Sequence, residues 1–287
     1  MMNFHPATEA IFRDLKAAVG EREGRSILRI LIEDMRLHNL QKNGNGGEVT
    51  TELTHLRQAV ERVLNGEPVQ YVTSRAHFYG YEFEVSPSVL IPRPETEELV
   101  YEVLKVIPKI DRPRILDIGT GSGCIAIVLA LKRPNANVYA VDVSEEALKV
   151  AQKNSEKYAA EVDFKCLDFL EPNPFWAEIP ALDILVSNPP YIRKNEVKWM
   201  SPATLNHEPK MALFPGGNDP LVFYKRIRGL LPEILRKGGH VFLELNEFAA
   251  EDIRDLYVGH FVNVDILLDM QGKKRILKAV GYRNNGA

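Results

Sequence analysis

The segment Arg114–Ala130 does most to limit what this chain can fold into. Arg114-Ile115-Leu116-Asp117-Ile118 reads as a short apolar strand. It runs directly into Gly119-Thr120-Gly121-Ser122-Gly123 and then into the apolar helix pattern Cys124-Ile125-Ala126-Ile127-Val128-Leu129-Ala130. The glycines permit positive φ and let a ligand approach the backbone closely. The helix that follows offers free N–H groups at its N-terminus. The spacing is GxGxG, which is neither the GxGxxG of a dinucleotide site nor a P-loop with its Lys and Ser/Thr. Asp142 ends the next strand pattern, Val138–Asp142, where an acid can accept hydrogen bonds from ribose hydroxyls. Turn and acid together predict a nucleoside cofactor without a pyrophosphate. Asp168 and Phe169, after the third strand pattern, could bracket an adenine by hydrogen bond and stacking.

The rest of the chain extends this α/β reading. From residue 93 onward, strand-like runs at Arg114–Ile118, Val138–Asp142, Asp163–Leu167, Ile184–Ser187, His240–Leu245, Asn263–Leu268 and Arg275–Ala279 alternate with helical patterns. That alternation predicts an α/β sheet with both faces covered. Residues 1–67 differ. Apolar residues recur there at helical steps: Ile11, Phe12, Leu15 and Val19; Ile27, Leu28, Leu31, Ile32 and Met35; Leu53, Leu56, Val60, Val63 and Leu64. A small helical domain of three to five helices is expected, with a loop over 42–47 and a helix stop at Gly66 and Pro68. Tyr71, Phe78, Tyr79, Tyr81, Phe83 and Val85 then favour strands, and Gly80 marks a β-hairpin. Residues 68–92 read as a connector, and 93–287 as the second domain.

A second loop carries chemistry. The apolar strand Leu182–Ser187 runs into Asn188-Pro189-Pro190-Tyr191. The prolines fix φ and have no N–H, so their carbonyls remain as acceptors. Asn188 adds a side-chain carbonyl and an NH2, and Tyr191 a planar face. Such a loop suits a planar, conjugated NH2 group, either an amide or an adenine amino group. The Asn188 side-chain oxygen and the Pro189 carbonyl can hold its two hydrogens and favour the positive charge that develops on nitrogen.

Composition bounds the partners. Hydrophobic residues make up 45% and charged residues 26% of 287 residues, enough to build a core. The net charge of −3 argues against a nucleic-acid clamp, although a local basic patch would escape this count. Only Cys124 and Cys166 occur, which predicts a reducing, cytoplasmic setting and no metal site. Neither a membrane span nor a signal peptide is expected.

Together these residues resemble the class I S-adenosylmethionine-dependent methyltransferases, and among them the release factor glutamine methyltransferases (the PrmC/HemK family). Besides the glycine loop and Asn188–Tyr191, the resemblance rests on Gly66–Tyr71, on Val89-Leu90-Ile91-Pro92-Arg93-Pro94-Glu95-Thr96-Glu97, and on Glu208-Pro209 with Ala212-Leu213 and Gly216–Asp219. It implies a Rossmann-like, seven-stranded sheet behind an N-terminal helical domain that helps to dock the substrate. The implied reaction uses S-adenosyl-L-methionine, leaves S-adenosyl-L-homocysteine, and methylates the glutamine of the Gly-Gly-Gln motif of peptide-chain release factors. It places Gly119, Thr120, Gly121, Ser122, Gly123, Asp142, Asp168, Phe169 and Asn188 around the cofactor, although tryptophan is common in the family where Phe169 stands. Asn188, Pro189, Pro190 and Tyr191 would form the glutamine pocket, with Asn188, Pro189 and Tyr191 catalytic. A monomer with no nucleic-acid partner is expected. Glu244-Leu245-Asn246-Glu247 departs from the family, which usually has a glycine after the acid, and predicts altered loop geometry there. The alternatives are an N6-adenine methyltransferase on DNA or RNA, a glutamine methyltransferase of a ribosomal protein, and a scaffold with a vestigial methyltransferase fold.

Overall fold

A computed structural model describes residues 6–42, 49–217 and 219–284. The loop expected over 42–47 lies outside them apart from Lys42. The chain divides into two compact units, 1–75 with 201–207, and 76–200 with 208–287. The segment 68–92 is therefore shared between the two.

The first unit is helical. Helices α1 (Pro6–Val19), α2 (Glu21–Lys42), α3 (Val49–Leu64) and α4 (Val69–Thr73) supply it. Ile11, Phe12, Leu15, Ile27, Leu28, Leu31, Leu56, Val60 and Val63 are its buried core. These are largely the residues whose three- and four-residue spacing marks the helices in the sequence. Helix α3 stops at the expected place, with the Gly66 and Glu67 amides turning back to the Val63 and Arg62 carbonyls.

The second unit begins with the hairpin β1 (Arg75–Phe78) and β2 (Tyr81–Glu84), turned at Tyr79-Gly80. It continues with α5 (Pro94–Val106), β3 (Arg114–Ile118), α6 (Cys124–Lys132), β4 (Asn137–Asp142), α7 (Glu145–Tyr158), β5 (Val162–Cys166), α8 (Phe175–Glu178) and β6 (Leu182–Ser187). After α9 (Pro202–His207, of the first unit) come α10 (Lys210–Leu213), α11 (Val222–Ile234), β7 (Leu235–Glu244), α12 (Ala250–Tyr257), β8 (Phe261–Leu268) and β9 (Lys274–Tyr282). Side chains of α7 bind the hairpin: Asn154 and Tyr158 pair with the backbone of Glu84 and Glu82 at 2.7–2.9 Å.

Seven strands form one sheet in the order β5-β4-β3-β6-β7-β9-β8. β5 to β7 run parallel, and β9 is antiparallel to both β7 and β8. Two apolar layers cover the two faces. That is why the central strand β6 is buried along its whole length and α6 is apolar on nearly all sides.

The strand order reverses between β3 and β6. Open α/β sheets bind ligands at such a reversal, beyond the carboxyl ends of the strands. The register pairs Ile118 with Ser187, and the Ser187 hydroxyl donates to the Ile118 carbonyl at 2.7 Å. The glycine loop leaves β3 and the Asn188 loop leaves β6, so two motifs distant in sequence emerge side by side.

Candidate active site

A cleft of about 790 Å3, counted to its open mouth, lies over these strand ends within the second unit. Gly119 and Gly121 form its floor, Asp142 and Asp168 one side, and Asn188, Pro189 and Pro190 the other. Val89 and Leu90, Met211 and Ala212, and Phe223 close the remaining wall.

The glycine turn is tied from below. Gly119 and Gly121 have φ of +73° and +55°, and no atom lies within 4 Å of where a Cβ would stand. Their bare backbone therefore opens on the cleft. Gly123 serves a different need: a Cβ there would come within 2.9 Å of the Ile127 side chain and 3.1 Å of Ala151. It permits α6 and α7 to approach. Thr120 and Ser122 are buried. The Thr120 hydroxyl donates to Asp117 at 2.7 Å, and the Ser122 carbonyl accepts from Asn154 at 3.0 Å.

Asp142 holds the turn from the neighbouring strand. One carboxylate oxygen accepts the Gly121 amide at 2.9 Å and the other the Ser144 amide at 3.0 Å. Burial raises its pKa, and these backbone bonds oppose the rise. Asp168 caps its own turn by accepting from the Leu170 amide. Phe169 is buried, stacked at 6.4 Å on Phe223 and edge-on to Trp176 at 5.6 Å. It presents to the cleft as part of an apolar wall.

Asp117 is fully buried behind the turn, and one of its oxygens has no hydrogen-bond partner among the described residues. Burial pushes its pKa from the ordinary 3.8 up to about 7, against the Thr120 bond and with help from the Asp142 charge. A carboxyl whose folded pKa is raised binds its proton more tightly in the folded state. Stability therefore falls as pH climbs from the unfolded value towards 7, and then levels off. Asp117→Asn escapes that loss. Between pH 5 and pH 8 the variant should gain about 2–3 kcal/mol relative to the parent, from about 1.4 kcal/mol per pKa unit. Parallel melting curves at both pH values measure this, and a gap that stays constant refutes it.

The loop from Asn188 to Tyr191 is anchored at both ends to one carboxylate. Glu244, at the end of β7, is 1% exposed. It accepts from the Tyr191 hydroxyl at 2.9 Å and from the Thr96 hydroxyl at 2.6 Å. Asn188 donates its side-chain NH2 to Thr96 at 3.2 Å. Burial raises the Glu244 pKa; the two hydroxyl bonds and the Arg275 charge resist. Burial also pushes the Tyr191 hydroxyl well above its usual range, so it stays a donor. The Tyr191 ring packs against the core and is not part of the cleft wall.

The departure at Asn246 has a definite structural content. Its backbone is extended, at φ −73°, so no glycine is needed there. Its NH2 donates to the Tyr191 carbonyl at 3.2 Å and to Glu196 at 2.7 Å, and its oxygen accepts the Phe248 amide. A side chain thus braces the far end of the Asn188 loop. Glu208 in turn accepts from Arg93 at 2.5 Å and from the Ile91 amide at 3.3 Å, which ties the residues before α5 to those before α10. Asn218 lies outside the described residues. Thr96, Asp117, Glu196 and Glu244 were not singled out as site residues by the sequence. The available signals were a threonine opening a helix and, for Asp117 and Glu244, acids near the ends of apolar strands; Glu196, in a short turn at 194–199, had none.

Comparison with known proteins places the chain in a family. The sequence model of the methyltransferase small domain matches residues 98–249. A release factor glutamine methyltransferase of Bacteroides thetaiotaomicron is 44% identical over 225 residues, 78% of this chain and 80% of that protein. One from Bacillus subtilis is 41% identical over 239 residues, 81% of this chain and 82% of that protein. The fold resembles a T. thermophilus 16S rRNA N2 methyltransferase solved with S-adenosylmethionine and guanosine. That likeness has a TM-score of 0.53 at 21% identity, over 72% of this chain and 49% of the other. By its sequence, this chain belongs to the release factor glutamine methyltransferase family.

Proposed function

We propose that this protein methylates the side-chain amide nitrogen of the glutamine in the Gly-Gly-Gln motif of peptide-chain release factors, with S-adenosyl-L-methionine as donor. One observation carries the reading. In a chain of this family, the glycine turn after β3 and the Asn188–Tyr191 loop after β6 open on one cleft from adjacent strands.

The residues fit the cofactor. Gly119 and Gly121 leave room for a ligand against the backbone. Asp142 is placed to accept ribose hydroxyls, and the apolar wall with Phe169 and Phe223 suits an adenine. The carboxylates of Asp142 and Asp168 suit a cation. When bound, the cofactor supplies a methyl group already activated by a sulfonium. The protein need not supply a nucleophile. Its task is to hold a poor one, an amide nitrogen whose lone pair is delocalised. The Asn188 oxygen and the Pro189 carbonyl can take the two amide hydrogens and favour the positive charge that develops there.

We assign docking of the release factor to the helical residues 1–67, linked by 68–92 to the chemistry in 93–287. Neither cysteine is paired, which supports a cytoplasmic setting, and no helix among the described residues is long and apolar enough to cross a membrane. The net charge of −3 supports a protein substrate without nucleic acid.

The test uses methyl-labelled cofactor with a release factor, with the same factor carrying Gln→Ala in its Gly-Gly-Gln loop, and with duplex DNA. Label on the unaltered factor alone is expected. Label on both factors, on neither, or on the DNA defeats the assignment.

A further inference from the structure

Asn188 can hold a substrate amide by its oxygen only if that oxygen, and not the NH2, is offered to the cleft. The two ends of a side-chain amide have the same shape, so packing cannot choose between them. Hydrogen bonding can. The Glu244 carboxylate accepts both the Tyr191 and the Thr96 hydroxyls. Thr96, 3% exposed at the start of α5, has a single hydroxyl hydrogen and commits it to Glu244 at 2.6 Å. The Thr96 oxygen can then only accept, and the Asn188 group that reaches it at 3.2 Å must be the NH2.

We propose that Thr96 and Glu244 are positioning residues for methyl transfer: a one-way chain of hydrogen bonds, Asn188 to Thr96 to Glu244, turns the Asn188 oxygen towards the acceptor. The planar amide places that oxygen opposite the NH2 held by Thr96, and Asn188 itself lines the cleft. Glu244 also takes the Tyr191 hydroxyl at 2.9 Å, so one carboxylate sets both ends of the loop. Three elements distant in sequence (the first turn of α5, the end of β6 and the end of β7) supply the chain. Without the Thr96 hydroxyl, Asn188 loses the bond that distinguishes its two ends. Its NH2 then faces a methyl group with no acceptor, so the productive orientation is disfavoured and the side chain spends most of its time out of it.

This inference rests on the proposed amide acceptor, and its test separates the two. Thr96→Val keeps the shape and removes the hydroxyl; Thr96→Ser keeps the hydroxyl. With a release factor as substrate, Thr96→Val should lower kcat about 10- to 50-fold, with KM for the factor and Kd for the cofactor each within about threefold of the parent. Thr96→Ser should recover kcat to within about threefold. In an Asn188→Ala background, Thr96→Val should change kcat less than twofold, because the side chain it orients is gone. A threonine that merely supports the fold would lower activity equally in both backgrounds. A parent enzyme that labels no release factor defeats the function and not this chain. With an active parent, the positioning role is overturned by kcat of Thr96→Val within threefold of the parent, by failure of Thr96→Ser to recover it, or by equal losses in both backgrounds.

Discussion

Asn188→Ala is expected to lower kcat by about a hundred- to a thousandfold, with cofactor affinity within about fivefold of the parent. Asn188 sits on the cleft side of the strand reversal, and its side chain is held by Thr96 at 3.2 Å. A preorganised partner for charge that develops only in the transition state is worth roughly that factor, about 3–4 kcal/mol. The cofactor rests mainly on other elements: the turn after β3 and the acid that ends β4. The loss should therefore fall on turnover. Single-turnover transfer from labelled cofactor, with calorimetric binding in parallel, separates the two. Undiminished turnover sinks the role given to Asn188, and a collapse of cofactor binding larger than the loss in kcat moves that role to the donor side.

The expectation for Asn188 shows where the sequence sufficed. Strands β3 to β9 stand close to where the sequence marks them; β3 and β6 do so because strands buried on both faces read as apolar runs, and the largely exposed edge strands β5 and β8 by strand-prone residues between turns. Gly119, Gly121, Asp142 and Asn188 could be named because each motif lies at a strand end, and strand ends are local features. The adjacency of β3 and β6 is not local. It follows from crossover connections, and only the sheet order puts the Asn188 loop beside the glycine turn.

The support beneath the site was harder to read for the same reason. Thr96 and Glu244 are 148 residues apart and meet only because α5 packs its first turn over the end of β7. As single letters, a threonine in a helix start and a glutamate after a strand have ordinary explanations, a cap and a solvated end. Thr120 and Ser122 illustrate the reverse. Their place in a glycine turn invites a ligand contact, yet their buried positions give them partners below the turn, since a tight turn between strand and helix must satisfy its own polar groups first. The asparagine at 246 could be recognised as a departure from the family, but not as a brace, because Tyr191 and Glu196 come from another part of the chain.

Asp142→Ala should weaken cofactor binding by about a hundredfold or more, the second large effect. The carboxylate has two duties. It fixes the turn by accepting the Gly121 and Ser144 amides, and it retains lone pairs for ribose hydroxyls. Hydrogen bonds to a charged acceptor are worth about 1.5–3 kcal/mol each, and about 1.4 kcal/mol is tenfold in affinity, so losing two such ligand bonds reaches that factor. Asp142→Asn divides the duties. Its single carbonyl can replace only one oxygen, so one backbone amide or the ribose loses its acceptor, and an intermediate loss is expected. Calorimetry gives the affinities, and cofactor-induced stabilisation in melting curves gives a second readout that does not depend on any substrate. Saturating cofactor should raise the melting temperature of the parent clearly and that of Asp142→Ala hardly at all. Equal stabilisation of both would mean that the cleft holds its ligand by the glycine turn and apolar wall alone, with Asp142 reduced to a brace for the turn.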